Sequence, residues 1–372
     1  MSLVLNGTTG ISGTNALTGV TGVNSGQVGG RRNIVINGEM KVAQRATSAT
    51  GKTGGTSGYF ALDRWKLQDG TIGTGGRCTI AQIADGPAGF ANCLKISATT
   101  ADTSIDAREA LILQTRFEGQ DLQQLKKGTS SAEQVTVSFY VKGNAAALYV
   151  CELHDVDNGR NNTQSFAVTT DWNRIELTFA ADTSDPLDDD NAVSLSLNFW
   201  LHSGSNYSGG TFASNTWADI TLANTTAVAD RTSIYDSTDR TFFLTGVQME
   251  VGSTATDFES RSFGEELALC ERYFQLVPQV GLAYAGATTT VDTCVPYRTP
   301  MRAAPTITAI AAITVTNVTA ADFAQSSANI TGSISVGASS AHLRLGNFSS
   351  LTTSDMYLCR NGDMNVAAAA EL

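Results

Sequence analysis

Charged side chains and prolines are both scarce in this sequence. Lys, Arg, Asp and Glu make up 16% of its 372 residues, and it contains 6 prolines and 3 histidines. Long solvated helices carry many Lys, Glu and Arg residues on their outer faces, so the shortage of charge disfavours them. Glycine contributes 35 residues and Ser, Thr and Asn are abundant, which favours short strands joined by tight turns. The composition therefore predicts an all-β protein, and the length suggests about two or three domains.

A basic surface is also lacking. The formal net charge is −11 at pH 7, whereas proteins that bind nucleic acid obtain most of their affinity from Lys and Arg side chains. The start of the sequence has no basic stretch followed by an apolar run, and there is no apolar window of about 18 residues. We therefore expect no nucleic-acid partner, no membrane insertion, and synthesis in a reducing cytoplasm.

Cysteine and histidine are too few and too scattered to form a recognisable catalytic motif. None of the six cysteines belongs to a CxxC pair, and a chain of this size does not need disulfides for stability. We interpret them as free thiols, mostly buried. The histidines, His154, His202 and His342, lie in no HExxH motif and near no GxSxG motif. We assign no catalytic residue, although a triad built from distant residues is compatible with the sequence.

Three local motifs resemble ligand sites but lack what such sites require. Residues 46–53 match a relaxed P-loop, yet the glycine-rich stretch that follows cannot form the helix that a P-loop needs. The alternating polar residues from Asp155 onwards resemble a calcium loop, but Phe166 stands where a bidentate Glu is needed, and Asn158-Gly159 favours a hairpin turn. The aspartates within 185–190 are typical of a solvated turn. We assign no metal and no cofactor.

The chain divides into a tract without core residues and a longer region of strand patterns. Residues 1–32 are rich in Gly, Thr, Ser and Asn and have no apolar period, so we expect them to become ordered by packing on neighbouring copies or on another protein. From residue 33 onwards short apolar runs, the first at 33–38, alternate with turns. Residues 135–142 alternate with period two, which places the apolar odd-numbered positions on one face. This pattern is typical of a β-sandwich.

One segment departs from the strand pattern. Ser262 and Glu265 have the spacing of a capping box, and apolar residues follow at helical spacing, which predicts a helix over 262–275. Residues 276–372 are weakly charged and rich in Ala, Thr and Ser, and they predict a small C-terminal β domain. Long uncharged strands aggregate when their edges are free, so we expect burial against sister subunits.

Aromatic residues cluster within 197–220, in a stretch rich in Ser, Asn and Gly. Rigid aromatic rings beside small polar residues suit a polar ligand such as a glycan. The alternative is that the two tryptophans of the cluster are core residues of the sandwich, because large aromatics are highly buried on average. The candidate glycan-binding residues are Trp200, Tyr207, Phe212 and Trp217.

Several segments resemble a known family. The sequence reads NIVINGEM at 33–40, LDRW at 62–65 and FLTGVQMEVG at 243–252, and the last of these runs into the predicted helix. These motifs resemble the jelly-roll domain of bacteriophage tail fibres and related virion proteins, whose fold is similar to carbohydrate-binding modules. The resemblance covers residues 33–306. It departs from the family at 245–248, where Thr-Gly-Val-Gln lacks the acidic pair of the family's calcium site.

The resemblance implies a homotrimeric particle protein that recognises a glycan or lipopolysaccharide on a bacterial host. Residues 1–32 resemble an anchoring segment that joins another virion protein. In an intertwined trimer the helix is expected to pack with its copies near the threefold axis. The candidate trimer contacts are Phe263, Leu267 and Cys270.

We therefore expect an N-terminal anchor (1–32), a jelly-roll β-sandwich (33–261), a connector helix (262–275) and a C-terminal β domain (276–372). The function that follows is that of a tail fibre that attaches a phage to its host. A capsid-bound fibre or decoration protein is the first alternative. A polysaccharide-degrading tail spike is the second, and it would need paired carboxylates, of which no sequence-local pair stands out.

Overall fold

A computed structural model describes residues 22–23, 26–27, 31–70, 75–318, 324–327 and 329–372. Antiparallel strands dominate these residues, which confirms the all-β class. No helix among them is long and apolar enough to cross a membrane. The predicted anchor at 1–32 falls almost entirely outside the described residues.

The N-terminal part contains, in chain order, β1 (Gly22–Val23), β2 (Gly26–Gln27), β3 (Ser48–Lys52), β4 (Lys66–Asp69), β5 (Arg77–Ile83), β6 (Cys93–Thr100), β7 (Ala110–Glu118), β8 (Val135–Gly143), β9 (Ala147–Asp155), β10 (Arg160–Val168), β11 (Asn173–Phe179), β12 (Val193–Ser203), α1 (Ser205–Ser208), β13 (Ala218–Asp219) and β14 (Thr241–Val251). The C-terminal part contains α2 (Phe263–Glu271), β15 (Phe274–Ala287), β16 (Thr290–Pro296), β17 (Thr306–Ala309), β18 (Ile313–Asn317), β19 (Ala324–Ser327), β20 (Asn329–Val336), β21 (Ser340–Gly346) and β22 (Met356–Ala369). Short 3₁₀ turns lie at Gly119–Asp121, Gln123–Leu125 and Leu222–Asn224.

Two six-stranded antiparallel sheets form a β-sandwich. Sheet A has the order β13-β10-β9-β12-β7-β4, and sheet B has the order β11-β8-β14-β6-β5-β3. From β7 to β14 the chain crosses repeatedly between the sheets, as it does in a jelly roll. The crossing leaves sheet A with one face on the core and one face turned outward.

The core between the sheets is built from the alternation seen in the sequence. Val135, Val137, Phe139 and Val141 of β8 are all buried, as their period of two predicts. The ring of Phe139 in sheet B meets the rings of Phe166 and Phe199 in sheet A edge-on, with centroids 5.1 and 5.0 Å apart. Such T-shaped pairs add to the stabilisation from burial. The cysteines carry no disulfide, and five of the six are buried, as predicted.

The acidic segments considered above as cation ligands lie beside one another, and Lys127 supplies the positive charge. Lys127 Nζ lies 2.6 Å from Asp155 Oδ2 and donates to the Asp185 carbonyl at 2.8 Å, and the Asp188 N–H donates to Asp157 Oδ2 at 2.9 Å. The predicted hairpin is confirmed, since β9 and β10 pair in register from Asp155 and Arg160 onwards. In the part of the chain that the structure describes, no three His, Cys, Asp or Glu side chains are grouped to hold a metal.

The segment 33–38, predicted as a strand, is irregular and enters a turn at 36–39, and side chains hold it in place. Asn37 has φ 59°, and its side-chain amide donates to two backbone carbonyls at 2.8 and 2.9 Å. Gly38 packs so closely on β14 that an added Cβ would lie 2.1 Å from the Val247 carbonyl oxygen. The backbone of this apolar run therefore bonds to side chains and to a few backbone groups of β14. It does not form a regular β-strand.

The helix α2 begins as predicted and ends earlier. Ser262 Oγ accepts a hydrogen bond from the Glu265 backbone N–H at 3.3 Å, and the Ser262 N–H donates to the Glu265 carboxylate at 3.1 Å, which confirms the capping box. The helix stops at Glu271 instead of residue 275, because Phe274 already pairs with Ala369 as the first residue of β15. Tertiary pairing has ended the helix here.

The strands after α2 form a separate sheet, sheet C, of order β19-β18-β22-β15-β16-β21-β20, with β17 also paired to β22. One face covers a separate small core that includes Val291, Leu343 and Tyr357. The other face exposes large apolar side chains: Leu282 is 58% exposed and Tyr284, which pairs with Met356, is 45% exposed.

Ion pairs join sheet C and α2 to the sandwich. The Glu371 carboxylate, just beyond β22, accepts hydrogen bonds at 2.8 Å from both Arg45 and Arg64. Arg272, just after α2, donates to Glu118 at the end of β7 at 2.6 and 2.8 Å. The division into domains at 261 and 275 stays a prediction.

Candidate functional site

A cleft of about 280 Å³ lies on the outer face of sheet A. Strand register places its side chains in three rows that cross the strands β4, β7, β12 and β9. The central row is polar and carries Gln114, Asn198 and Glu152; a second polar row carries Arg116, Ser196 and His154; the third, largely apolar, carries Gln68, Ile112, Trp200 and Val150.

Glu152 organises the centre of the cleft. Its Oε2 accepts hydrogen bonds from Asn198 Nδ2 at 2.9 Å and from Trp200 Nε1 at 2.7 Å, and its Oε1 accepts one from Asn161 Nδ2 at 2.7 Å. Glu152 is 3% exposed. Three donors on one buried carboxylate fix the rotamers of the surrounding side chains.

The same bonds leave an acceptor without a partner. Because Asn198 turns its Nδ2 towards Glu152, its Oδ1 points elsewhere, and this atom is buried without a hydrogen-bond partner. Thr225 Oγ1, which also lines the cleft, is buried and unpartnered as well. A buried polar atom that lacks a hydrogen bond costs free energy, so two of them in one cleft point to a polar ligand. Such a ligand must donate to the Asn198 oxygen, and it can donate to or accept from the Thr225 hydroxyl.

Residues 204–228 fold over one side of the sheet and form a wall of the cleft. The Trp200 and Tyr207 rings lie with centroids 5.2 Å apart, and Phe212 packs into the same small apolar cluster as Ile112 and Val150. Trp200 is 7% exposed. The wall continues through Ile220 and Leu222, whose side chains also line the cleft.

The structure brings together three of the four aromatic residues that the sequence nominated. Trp200, Tyr207 and Phe212 form one cluster at the cleft, and within it Trp200 lines the cleft itself. Trp217 lies elsewhere: its Nε1 donates to the Ala180 carbonyl at 2.7 Å and its ring packs against the sandwich core. The position of Trp217 agrees with the alternative interpretation, in which it packs on the core of the sandwich.

The three candidate trimer contacts differ in exposure. Phe263 is 57% exposed, and Leu267 is partly buried. Cys270 is fully buried within its own chain. The prediction that Cys270 contacts another copy is therefore corrected, because its side chain is enclosed by its own chain. Phe263 is exposed and remains a candidate.

The polar residues of the cleft were not evident from the sequence. Glu152 and Asn198 each lie between buried apolar neighbours, and Gln114 lies between the buried Leu113 and Thr115. The signal was a polar residue at an outward position of a strand, which solvent-facing strands also show. Strand register, which the sequence does not contain, was needed to bring them together.

The chemistry of the cleft suits binding. Among the described residues that line it, Glu152 is the single carboxylate, whereas glycoside hydrolysis uses a pair. A Glu–His–Ser chain does occur beside it: His202 Nδ1 lies 2.7 Å from Ser233 Oγ, and His202 Nε2 lies 3.4 Å from Glu109 Oε2. The histidine is 2% exposed, and burial lowers its pKa to about 4. This ring is enclosed by protein and does not reach the cleft.

No model of a known protein family matches the sequence, and no curated protein matches it either. Solved structures do match part of the chain. The family 11 carbohydrate-binding module of Clostridium thermocellum, in complex with a β-1,3-1,4-mixed-linked tetrasaccharide, is 13% identical, with 58% of this chain and 99% of that chain covered and a TM-score of 0.28. The CBM22-1 xylan-binding domain of Paenibacillus barcinonensis Xyn10C is 12% identical, with 61% and 100% covered and a TM-score of 0.28.

A phage protein is among the matches. The enzymatically active domain of bacteriophage CBA120 tailspike protein 4 is 12% identical, with 50% of this chain and 19% of that chain covered and a TM-score of 0.26. At these TM-scores the similarities add nothing to the fold, which rests on the strand pairing described above.

Proposed function

We propose that this protein binds a glycan in the cleft of sheet A. The observation that carries the proposal is the pair of buried, unpartnered acceptors, Asn198 Oδ1 and Thr225 Oγ1, beside the Trp200 cluster. Sugar hydroxyls donate hydrogen bonds, and the C–H faces of a sugar ring pack on apolar and aromatic side chains. The cleft offers both kinds of contact, on rigid strands.

An array of bacterial and plant polysaccharides tests this proposal. We expect the protein to bind a subset of the array, and Trp200→Ala to abolish that binding. Thr225→Val keeps the shape and removes the unpartnered hydroxyl, so it should weaken binding about fivefold, the equivalent of one hydrogen bond of about 1 kcal/mol. Trp172→Ala, a tryptophan that precedes β11 in sheet B, is the matched control and should bind as the wild type does. Absence of binding to every polysaccharide would refute the proposal.

We further propose that the glycan belongs to a bacterial surface and that the protein is a phage virion component, in the first instance a tail fibre. The support is the sequence resemblance of residues 33–306 to virion fibre proteins. Residues 1–32 would join another virion protein, and assembly would take place in the host cytoplasm. Immunogold microscopy of particles should place the protein on the tail; labelling of the capsid would favour the decoration protein instead. Release of reducing sugar from host polysaccharide would favour the tail spike.

A homotrimer is part of the same proposal. The large apolar side chains on the outer face of sheet C, among them Leu282 and Tyr284, support association, because such side chains lose contact with water when copies meet. Phe263 adds a further exposed ring. Light scattering at micromolar concentration should give three times the chain mass, and a monomer would exclude the trimer.

A further inference from the structure

Two cations without an acidic partner lie at the β4–β7 side of the cleft. Arg116 lines the cleft, and Lys66 pairs in register with Gln114, so both side chains belong to the outer face of sheet A. Among the described residues neither cation takes part in an ion pair, in a chain whose net charge is −11. Most other cations of the sandwich, such as Lys127 and Arg160, face a carboxylate.

The guanidinium of Arg116 is held in place but not saturated. Its Nε donates to Gln114 Oε1 at 2.6 Å. No described residue accepts a hydrogen bond from its two terminal nitrogens, and none accepts one from Lys66 Nζ. A guanidinium fixed at Nε with its two ends open matches the geometry of a carboxylate or a phosphate.

The acidic group that acts on Lys66 is Glu371, and it is already engaged by two other cations. Glu371 accepts hydrogen bonds at 2.8 Å from both Arg45 and Arg64. The surroundings of Lys66 are therefore unfavourable for its charge: burial and the nearby Arg116 lower its pKa, and Glu371 opposes this only in part. An anion bound here would relieve the repulsion between the two cations.

We propose that the ligand is an acidic saccharide, whose carboxylate or phosphate binds at Lys66 and Arg116 while its hydroxyls donate to Asn198 and Thr225. This inference rests on the proposed function and specifies its ligand class. The negative net charge of the chain does not oppose it strongly, because charges more than about 8 Å away are screened at physiological salt. The preference for an acidic ligand is a local property of one end of the cleft.

The test begins with an array of neutral, uronate-containing and phosphorylated polysaccharides at physiological salt. We expect the bound set to be acidic. Carboxyl reduction of a bound uronate polymer, which converts each uronate to the neutral sugar of the same configuration, should weaken binding tenfold or more. Removal of phosphate from a bound phosphorylated polymer is the corresponding arm, and the two arms distinguish the source of the anion.

Variants assign the preference to the two cations. In Arg116→Gln and Lys66→Gln the acidic polymer and its neutralised form should bind with affinities that approach each other. Lys95→Gln, which makes the same charge change on the outer face of sheet B, should keep the full preference. Thermal melting checks that each variant is folded.

The outcomes separate the two proposals. If the bound polysaccharides are neutral, or if neutralisation leaves affinity unchanged, the acidic ligand is excluded while glycan binding stands. If Arg116→Gln keeps the preference of the wild type, the assignment to this site is wrong. If no polysaccharide of any charge binds, the proposed function fails and this inference fails with it.

Discussion

At the scale of the residue, Glu152 decides what the cleft presents to a ligand. It lies beneath the surface and accepts from Asn198, Trp200 and Asn161 at 2.7 to 2.9 Å. Because a carboxylate only accepts, it orients the Asn198 amide with nitrogen inward, so that Oδ1 is left for the ligand. One buried acid thus sets the polarity of a site that it does not itself have to contact.

Glu152→Gln tests this role. The side-chain NH₂ of glutamine would replace one acceptor by a donor and would face at least one of the three donors, so we expect the free energy of unfolding to fall by about 2 kcal/mol. Urea denaturation measures the loss, and glycan affinity should fall with it as the Asn198 amide loses its fixed orientation. Glu176→Gln is the control, because the Glu176 side chain is 50% exposed and should change stability little. Equal stability of the two variants would contradict the role given to Glu152.

At the scale of the element, the start of α2 depends on a few local bonds. Ser262 and Glu265 satisfy each other's backbone N–H groups. Ser262→Ala should therefore lower the free energy of unfolding by about 1 kcal/mol, the usual cost of losing an N-cap. The control in urea denaturation is Ser131→Ala, an exposed serine whose side chain caps no helix. A cost near zero for Ser262→Ala would show that tertiary contacts alone hold the helix start.

The elements also show which parts of the structure the sequence determines locally. The alternation in β8, the turn between β9 and β10 and the cap of α2 depend on neighbours within a few residues, and all three are confirmed. The conformation of 33–38 was not predicted, because its bonds to Asp63 and its contact with β14, which is more than 200 residues away, are not visible in the local sequence. The cleft was not predicted for the same reason. Gln114, Asn198 and Glu152 meet only through strand register across sheet A, whereas the aromatic cluster was visible as a local concentration of rings.

At the scale of the whole molecule, the residues after β22 fasten sheet C to the sandwich. Arg64 is 1% exposed, and its guanidinium lies 3.5 Å from the centroid of the Tyr273 ring, between α2 and β15. The same guanidinium donates to the Arg116 carbonyl in sheet A and to Glu371. A buried cation shared in this way couples the two sheets, because neither can separate without leaving it unpaired.

Glu371→Gln should weaken that coupling. It removes the acidic partner that Arg64 has among the described residues. Loss of one member of a buried ion pair typically costs 3 to 5 kcal/mol, so we expect the free energy of unfolding to fall by about 3 kcal/mol, or by less if water reaches the 12% exposed Glu371. All four tryptophans lie in the sandwich, so their fluorescence follows the sandwich alone while far-ultraviolet circular dichroism follows both parts. In Glu371→Gln the circular dichroism transition should occur at a lower urea concentration than the fluorescence transition. The control is Asp219→Asn, which breaks an ion pair whose acid is 90% exposed. In this control the two transitions should coincide. Coincident transitions in Glu371→Gln would mean that the apolar contacts of α2 and β15 couple the two parts without this charge.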